Sequence, residues 1–515
     1  MKKKTILWAD DEIDMLRPHV LFLEEKGYEI TTANSGQDAL DCCKEKVFDL
    51  VFLDENMPGL TGLETLSLIK EMNPSLPVIM ITKSEDEGIM NNAIGKKIAD
   101  YLIKPVNPNQ ILHSIKKNLH KDDIVTEATI ESYREDFNNI GTLINNADSA
   151  SDWAEVYKKL VFWELELTSS QSPLLELLLS QKSEANNSFV KFIKRNYENW
   201  MKKPDERPVI SPDLFKKKVF PALEEEENIF FILIDNFRLD QWEAIKELLA
   251  PNFTFNEELY YSILPTATQY ARNSIFSGLM PNQISQLFPD LWTDENEEEG
   301  KNLNEEPLIK TQIERFRKDY SFSYHKILSS ANGDKLIQNF NNITGNKLNV
   351  IVINFVDMLS HAKTDSKMIR ELASDEAAYR SLTRSWFKHS STVDLFNKIA
   401  EKGFKIILTT DHGTIRVKNP VKIVGDKNTN TNLRYKLGKN LNYESKKVYE
   451  IKHPEDVFLP SPNLTTKYIF AQNDDFFAYP NNYNHYASYY TDTFQHGGIS
   501  MEEMIIPLIT MTPKK

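Results

Sequence analysis

Short apolar runs recur along this chain and most of them stop at acidic residues. Residues 4–9 (KTILWA) run into Asp10-Asp11-Glu12, and residues 49–53 run into Asp54. Runs at 29–33, 78–82 and 100–103 have similar length and Ile, Leu or Thr character, which predicts strands. Between them, residues 14–26, 36–46, 62–71, 86–94 and 107–119 carry apolar positions three and four apart, which predicts helices; the first stops at Gly27. Five strand–helix pairs in succession predict a doubly wound parallel sheet with its ligand site at the carboxyl ends of the strands.

From residue 121 to residue 203 the strand signal disappears. Apolar residues fall at Ile140, Leu143 and Ile144, then at Trp153, Val156, Tyr157, Leu160, Trp163 and Leu167, and again through 174–179 and 189–200. This is the spacing of three or four amphipathic helices, and core packing accounts for their tryptophans and leucines. Three prolines between 202 and 212 mark an exit. Beyond it strand-like runs return. Residues 228–234 (NIFFILI) lead to Asp235, 349–356 (NVIVINFV) to Asp357 with His361 four on, 405–410 (KIILTT) to Asp411-His412, and 489–495 to His496. The chain therefore reads as α/β in three parts: 1–120, a helical connector at 121–208, and a second α/β domain at 209–515.

A length of 515 residues exceeds one ordinary core, in keeping with that division. A net charge of −14, with acidic clusters at 224–227 and 294–299, opposes a duplex-binding surface, because such affinity comes from Lys and Arg displacing counterions. No basic recognition helix, zinc-finger spacing or RNA-reading aromatic signature is present. The apolar runs are too short to span a bilayer. No signal-peptide core follows the basic N-terminus, and the two cysteines, Cys42 and Cys43, are adjacent. Both features lead us to expect a cytoplasmic protein.

At its strand ends the first segment offers Asp10, Asp11, Asp54, Thr82 and Lys104. Three converging carboxylates repel one another unless a divalent cation neutralises them, and oxygen-only donors favour Mg2+. A carboxylate can accept a phosphoryl group, and a lysine can then pair with it. The stretches DDE at 10–12, LDENMPGLTGLE at 53–64, MITK at 80–83 and DYLIKP at 100–105 resemble the receiver domain of two-component response regulators. That resemblance implies a flavodoxin-like fold with Asp54 as phosphoacceptor. It also implies Mg2+ held by Asp10, Asp11, Asp54 and the backbone carbonyl of Asn56, and a switch built from Thr82, Tyr101 and Lys104.

In the last segment, Asp357 and His361 can share one face of a helical turn. Asp411 and His412 are adjacent, so they serve either different sides of one ion or two ions. Asn236 and Arg238 flank Asp235, where substrate contact and plain surface exposure are equally good readings. Residues 264–281 (LPTATQYARNSIFSGLMP) place Thr268 before a helix running from about Gln269 to Gly278. Thr268 is then either an N-cap or, at the positive end of a helix dipole beside a metal, a nucleophile.

The order Asp, Thr, Asp-x3-His, Asp-His, His over residues 228–510 resembles the PglZ-type members of the alkaline phosphatase superfamily. By that resemblance Asp357, His361 and His496 hold one zinc, and Asp235, Asp411 and His412 hold the other together with the nucleophile Thr268. Arg272 would hold a nonbridging phosphate oxygen. The PT-x-T run at 265–268 resembles the phosphodiesterase branch, which favours nucleotide-type substrates. A sulfatase or phosphomutase shares the metal logic, but the sulfatase signature lacks its cysteine or serine.

The whole order resembles a family of response regulators associated with type IX secretion. This implies a sensor histidine kinase, a phosphorylation-dependent homodimer, and contacts with a sigma factor or secretion component. Two functions are expected on this basis. In one, a receiver governs a two-zinc phosphodiesterase or phosphatase acting on nucleotide or oligonucleotide phosphodiesters. In the other, the chain is a phosphorylation-switched scaffold that does not require catalysis. Residues 414–493, rich in Lys, Asn and Tyr, read as a cap over the site.

Overall fold

The computed structural model describes residues 3–83, 98–119, 121–226, 228–293, 302–425, 429–463 and 465–514. The chain forms two compact units, Met1–Ser132 and Tyr133–Lys515. The expected helix at 86–94 and the acidic cluster at 294–299 lie outside the described residues.

In the first unit, β1 (Thr5–Ala9), β2 (Glu29–Ala33), β3 (Leu50–Asp54), β4 (Val78–Thr82) and β5 (Asp100–Ile103) form one sheet in the order 2-1-3-4-5. Every neighbouring pair is parallel. Helices α1 (Arg17–Glu25), α2 (Gly36–Glu45), α3 (Gly62–Met72) and α4 (Pro108–Leu119) accompany the strands. Because the central strands β1, β3 and β4 are buried on both faces, alternate residues feed two cores. Leu7, Val51, Leu53 and Leu66 pack on one side, and Ile6, Trp8, Phe52, Ile79 and Ile111 on the other. Thr61 and Glu64 close a reciprocal capping box that starts α3 just beyond the acidic end of β3. The chain order reverses between β1 and β3, so Asp10 and Asp54 emerge side by side at the switch point.

In the second part of the chain, the connector is three helices, α5 (Lys121–Asn146), α6 (Ala150–Ser169) and α7 (Leu175–Lys202). The two apolar stretches at 174–179 and 189–200 belong to one helix, α7. The sheet of this unit has six strands: β6 (Ile229–Ile234), β7 (Phe253–Tyr261), β8 (Phe322–Ile327), β9 (Leu348–Ile353), β10 (Lys405–Thr409) and a last strand, Ile505–Pro513. Strands β10, β6, β9 and β8 are parallel neighbours in that order, while the last strand runs antiparallel between β10 and β7. The parallel strands aim their carboxyl ends at Asp235, Asp357 and Asp411-His412.

Residues 489–495, expected as a strand, are mostly something else. Tyr483–Tyr490 is a helix, and only Phe494–Gln495 is extended, paired with Ile415–Arg416. Stacking of His485 on Tyr489 and of Tyr486 on Tyr490, each pair four residues apart, favours the helix over the β-propensity of the tyrosines. Two three-stranded sheets occupy much of the preceding segment. Among the described residues no helix is long and apolar enough to cross a membrane.

Helices α6 and α7 share one apolar core with the six-stranded sheet. Phe189 stacks on Tyr261 at 6.4 Å, Trp200 meets the same ring at 5.3 Å, and Trp153 lies against Phe189. A chain of buried charges crosses the same region. Lys182 of α7 pairs with Glu164 of α6 at 2.8 Å. Glu164 pairs with Arg380 at 2.6 Å, and Arg380 with Asp240 at 3.2 Å. Asp240 then meets Arg238 at 2.7 Å. Each charge is stable there only because the next opposes it. Removing one by Arg380→Met should lower unfolding free energy by about 3 kcal/mol, measured by denaturant titration, since Glu164 and Asp240 would remain buried with one partner fewer.

Candidate functional site

The first unit gathers Asp10, Asp11 and Asp54, with ligand oxygens all within 4.8 Å of one another. Asp10 and Asp54 are buried and Asp11 is exposed, so the cluster opens to solvent on one side. Lys104, just past β5, reaches Asp10 at 2.8 Å and Asp54 at 3.0 Å. Burial raises the pKa of Asp54, with Lys104 opposing and Asp10 adding to the rise. Burial works against the Lys104 ammonium, but its two carboxylates more than offset this and hold its pKa above the usual lysine range. Thr82 is buried at the end of β4, Tyr101 of β5 is half-buried against the core, and Asn56 is exposed in the loop after β3. The donor set here is oxygen only, which suits a hard cation.

The second unit brings six ligand-capable side chains into two groups. Asp357, His361 and His496 form one, and Asp235, Asp411 and His412 form the other, each with donor atoms within 4.8 Å. The groups adjoin, for the rings of His412 and His496 stack with centroids 4.2 Å apart. The first group opens to solvent through His361, whose side chain is 65% exposed; Asp235 is 2% exposed, and Asp411 and His412 are fully buried.

Local structure explains each placement. Asp357 and His361 lie one turn apart on α8 (Phe355–Asp365), with His361 Nε2 3.5 Å from Asp357 Oδ2. His496 Nδ1 sits 3.1 Å from the Thr266 carbonyl, and His412 Nδ1 sits 3.1 Å from the Gly413 carbonyl. Each backbone acceptor selects the Nδ1–H tautomer and leaves Nε2 facing the carboxylates, as metal-binding imidazoles require. Burial, together with His412 and His361, holds His496 well below the ordinary histidine pKa and so keeps it neutral.

Asn236, next to Asp235, has a left-handed backbone at φ 61°, a conformation asparagine tolerates better than most residues. Its amide donates to Asp357 at 3.3 Å and to Ser360 at 3.1 Å. It therefore braces the Asp357 carboxylate. Arg238 is on no surface. It is buried against Asp240 and Glu376.

Arg272, expected to contact phosphate, is wholly buried. Its guanidinium meets Asp235, Asp411 at 2.9 Å and Glu305 at 3.1 Å. Burial drives the Asp411 carboxyl up, but Arg272 and His412 more than offset this and hold it at about 2. Burial raises Asp235 well above the carboxylate range despite Arg272, with Asp411 and Asp357 adding to the effect. This is the electrostatic condition of a site whose carboxylates outnumber the cations that the chain itself supplies.

Thr268 opens the helix Thr268–Ser277, but the capping position is Ala267, and no side chain caps that end. The Thr268 hydroxyl instead lies 3.1 Å from His412 Nε2 and 3.4 Å from Asp235 Oδ1. Of the two sequence readings of this residue, capping is excluded.

Several site residues escaped the sequence reading. Glu305 anchors Arg272 and Lys326. Thr266 bonds Gly498 and the amide of Gly497 through its hydroxyl, which fixes the His496 loop. Glu502 and Glu503 are buried beside it. The signal for the last pair was their position in an otherwise apolar run, MEEMIIPLI, where two buried carboxylates demand partners.

Family models match three stretches: a response regulator receiver domain at residues 6–116, a PorX response regulator linker domain at 123–201, and a BREX system PglZ alkaline phosphatase-like domain at 214–511. Curated relatives include the transcriptional regulatory protein ZraR of Escherichia coli K12. It is 35% identical over 130 residues, which is 25% of this chain and 30% of that protein. The uncharacterized transcriptional regulatory protein YkoG of Bacillus subtilis is 30% identical over 186 residues, 36% of this chain and 76% of its own. The chain spans about a third of the length of the ZraR proteins it matches.

Solved structures that resemble it include a CheY-like receiver protein from Methanospirillum hungatei, 28% identical with a TM-score of 0.23, covering 23% of this chain and 96% of that one. TrrA of Thermotoga maritima in complex with Mg(2+)-BeF is 32% identical with a TM-score of 0.21, covering 22% and 99%. The PglZ model covers more than half of the residues, and the chain belongs to the PglZ alkaline phosphatase-like family, with a response regulator receiver domain and a PorX-type linker preceding that domain.

Proposed function

We propose that this protein is a response regulator whose output is a two-zinc phosphodiesterase or phosphatase. The observation that carries the reading is the placing of the Thr268 hydroxyl between His412 and Asp235, beside one of two adjoining carboxylate–imidazole groups. Mixed oxygen and nitrogen donors favour zinc over Mg2+. Asp357, His361 and His496 would hold one ion, and Asp235, Asp411 and His412 the other, with Thr268 beside it. Ions bound there would supply Lewis acidity that lowers the pKa of a nearby hydroxyl and screens charge on a phosphate ester.

Thr268 Oγ1 then attacks phosphorus in line. Its bond to phosphorus forms as the bond to the leaving oxygen breaks, and the departing alcohol takes up a proton. Water cleaves the phosphothreonine and restores the hydroxyl. His361 marks the open side of the site, through which a substrate reaches Thr268. Asn236 braces Asp357, and Arg272 anchors Asp235 and Asp411. Nucleotide or oligonucleotide phosphodiesters are the favoured substrates.

In the receiver, Asp54 is the phosphoacceptor, and Asp10, Asp11, Asp54 and the Asn56 carbonyl hold Mg2+. Lys104, now paired with Asp10 and Asp54, would pair with the phosphoryl group, while Thr82 and Tyr101 change position. A sensor histidine kinase supplies the phosphoryl group in the cytoplasm, and a phosphorylated homodimer is the active form. The chain acts as three domains, 1–120, 121–208 and 209–515, with output linked to a sigma factor or to type IX secretion.

Two measurements test this reading. Thr268→Ala should abolish hydrolysis of a chromogenic phosphodiester while leaving zinc content at the wild-type level; a variant that cleaves normally refutes the nucleophile. Cellular output that survives this substitution would instead favour the scaffold. Asp54→Asn should abolish phosphoryl incorporation from a small phosphodonor, read by mass spectrometry of the intact protein.

A further inference from the structure

The connector helix α7 reaches the metal-ligand loops through one turn of helix, α9 (Met501–Met504). Asn186 of α7 accepts the Met501 N–H at 2.8 Å through Oδ1 and donates to Glu502 Oε2 at 2.9 Å through Nδ2. Lys182, one turn earlier, pairs with Glu502 Oε1 at 3.0 Å. Asn186, Glu502 and Glu503 are 2%, 5% and 0% exposed, so these bonds have no competition from solvent.

The same turn holds both histidine loops. Gly413, directly after His412, donates its N–H to the Glu503 carbonyl at 3.1 Å. A Cβ at Gly413 would lie 2.0 Å from the Glu502 carbonyl oxygen, an approach that only glycine permits. Gly498, two residues past His496, donates its N–H to Glu503 Oε1 at 2.9 Å. The Met504 carbonyl accepts the Ser262 N–H at 2.8 Å, and the Ser262 hydroxyl donates to the Asp411 carbonyl at 2.7 Å. Three ligands, Asp411, His412 and His496, are thus fixed by a four-residue turn that α7 also grips.

We propose that Asn186 and Lys182 are positioning residues of the metal centre, and that α7 is its control element. Displacing α7 shifts α9, and with it the loops of His412 and His496, so metal affinity and turnover follow the position of the connector. This inference rests on the metal-centre reading above. It assigns the connector a role in the site itself and names the contacts that carry it.

The test uses the full chain with zinc alone as probe. Zinc affinity is measured by calorimetry, and hydrogen exchange of residues 411–414 and 496–499 is followed in metal-free protein. Phe192→Leu is the control, because Phe192 is buried on the same helix against Trp153 and Trp200. Asn186→Ala should weaken zinc binding about tenfold or more, the range for partners that orient ligands, and should speed exchange of both loops. Phe192→Leu, at a similar loss of melting temperature, should leave affinity within about twofold. Equal effects of the two variants would overturn the proposal. Should Asn186→Ala fail to fold, Asn186→Ser, which cannot span both Met501 and Glu502, is read in the same way. Absence of zinc binding by the wild-type chain would refute the metal-centre reading, while the exchange measurement would still decide whether α7 governs the loops.

Discussion

Buried carboxylates at the ends of parallel strands constrain everything else in this molecule. Taking one ionised carboxylate out of water costs several kcal/mol, and bringing like charges together adds to that cost. Both units nevertheless place such groups side by side, Asp10 with Asp54 and Asp235 with Asp411. Each does so around a cation from its own sequence: Lys104 in the first unit, Arg272 in the second. In neither case does one cation match the carboxylates present. Asp235 and Asp54 are pushed up by burial and by their neighbours, the response expected of sites built to receive further positive charge.

The same constraint makes the second unit depend on residues far from its ligands. Arg272 needs Glu305 to complete its surroundings, and Glu503 needs Arg434 and the Gly498 amide. Glu502 needs Lys182, which also meets Glu164. Polar partners of this kind are laid down in pairs, each intolerable without the next. Through them helices α6 and α7 belong to the structure of the site as well as to the apolar core around Trp153, Phe189 and Tyr261.

The strands that carry the ligands were legible because apolar runs ending in Asp leave few alternatives, and the spacing of Asp357 and His361 already implied a helical turn. The receiver sheet was equally clear, since its central strands β1, β3 and β4 are almost wholly buried and apolar up to their ends. Three features were not. Residues 489–495 read as a strand leading to His496, yet Tyr489 and Tyr490 close the helix Tyr483–Tyr490, whose aromatic rings stack at helical spacing. Arg272 sits one turn beyond Thr268, where the sequence suggested a phosphate contact, and nothing local in the sequence shows that the folded chain pairs it with Asp235, Asp411 and Glu305. Thr266 and Glu305 act across long sequence separations that no local pattern encodes, and the apolar run around Glu502 and Glu503 signals their burial but not their partners.

On the function proposed, the two adjoining carboxylate–imidazole groups, one of them beside Thr268, form one binuclear zinc centre. Anomalous diffraction from crystals of the zinc-loaded chain, collected on both sides of the zinc absorption edge, tests it most directly. Two zinc peaks about 4 Å apart are expected, one among Asp357, His361 and His496 and the other among Asp235, Asp411 and His412 beside Thr268. A single peak elsewhere, or none at zinc-replete concentrations with the six side chains arranged as they are here, would contradict it.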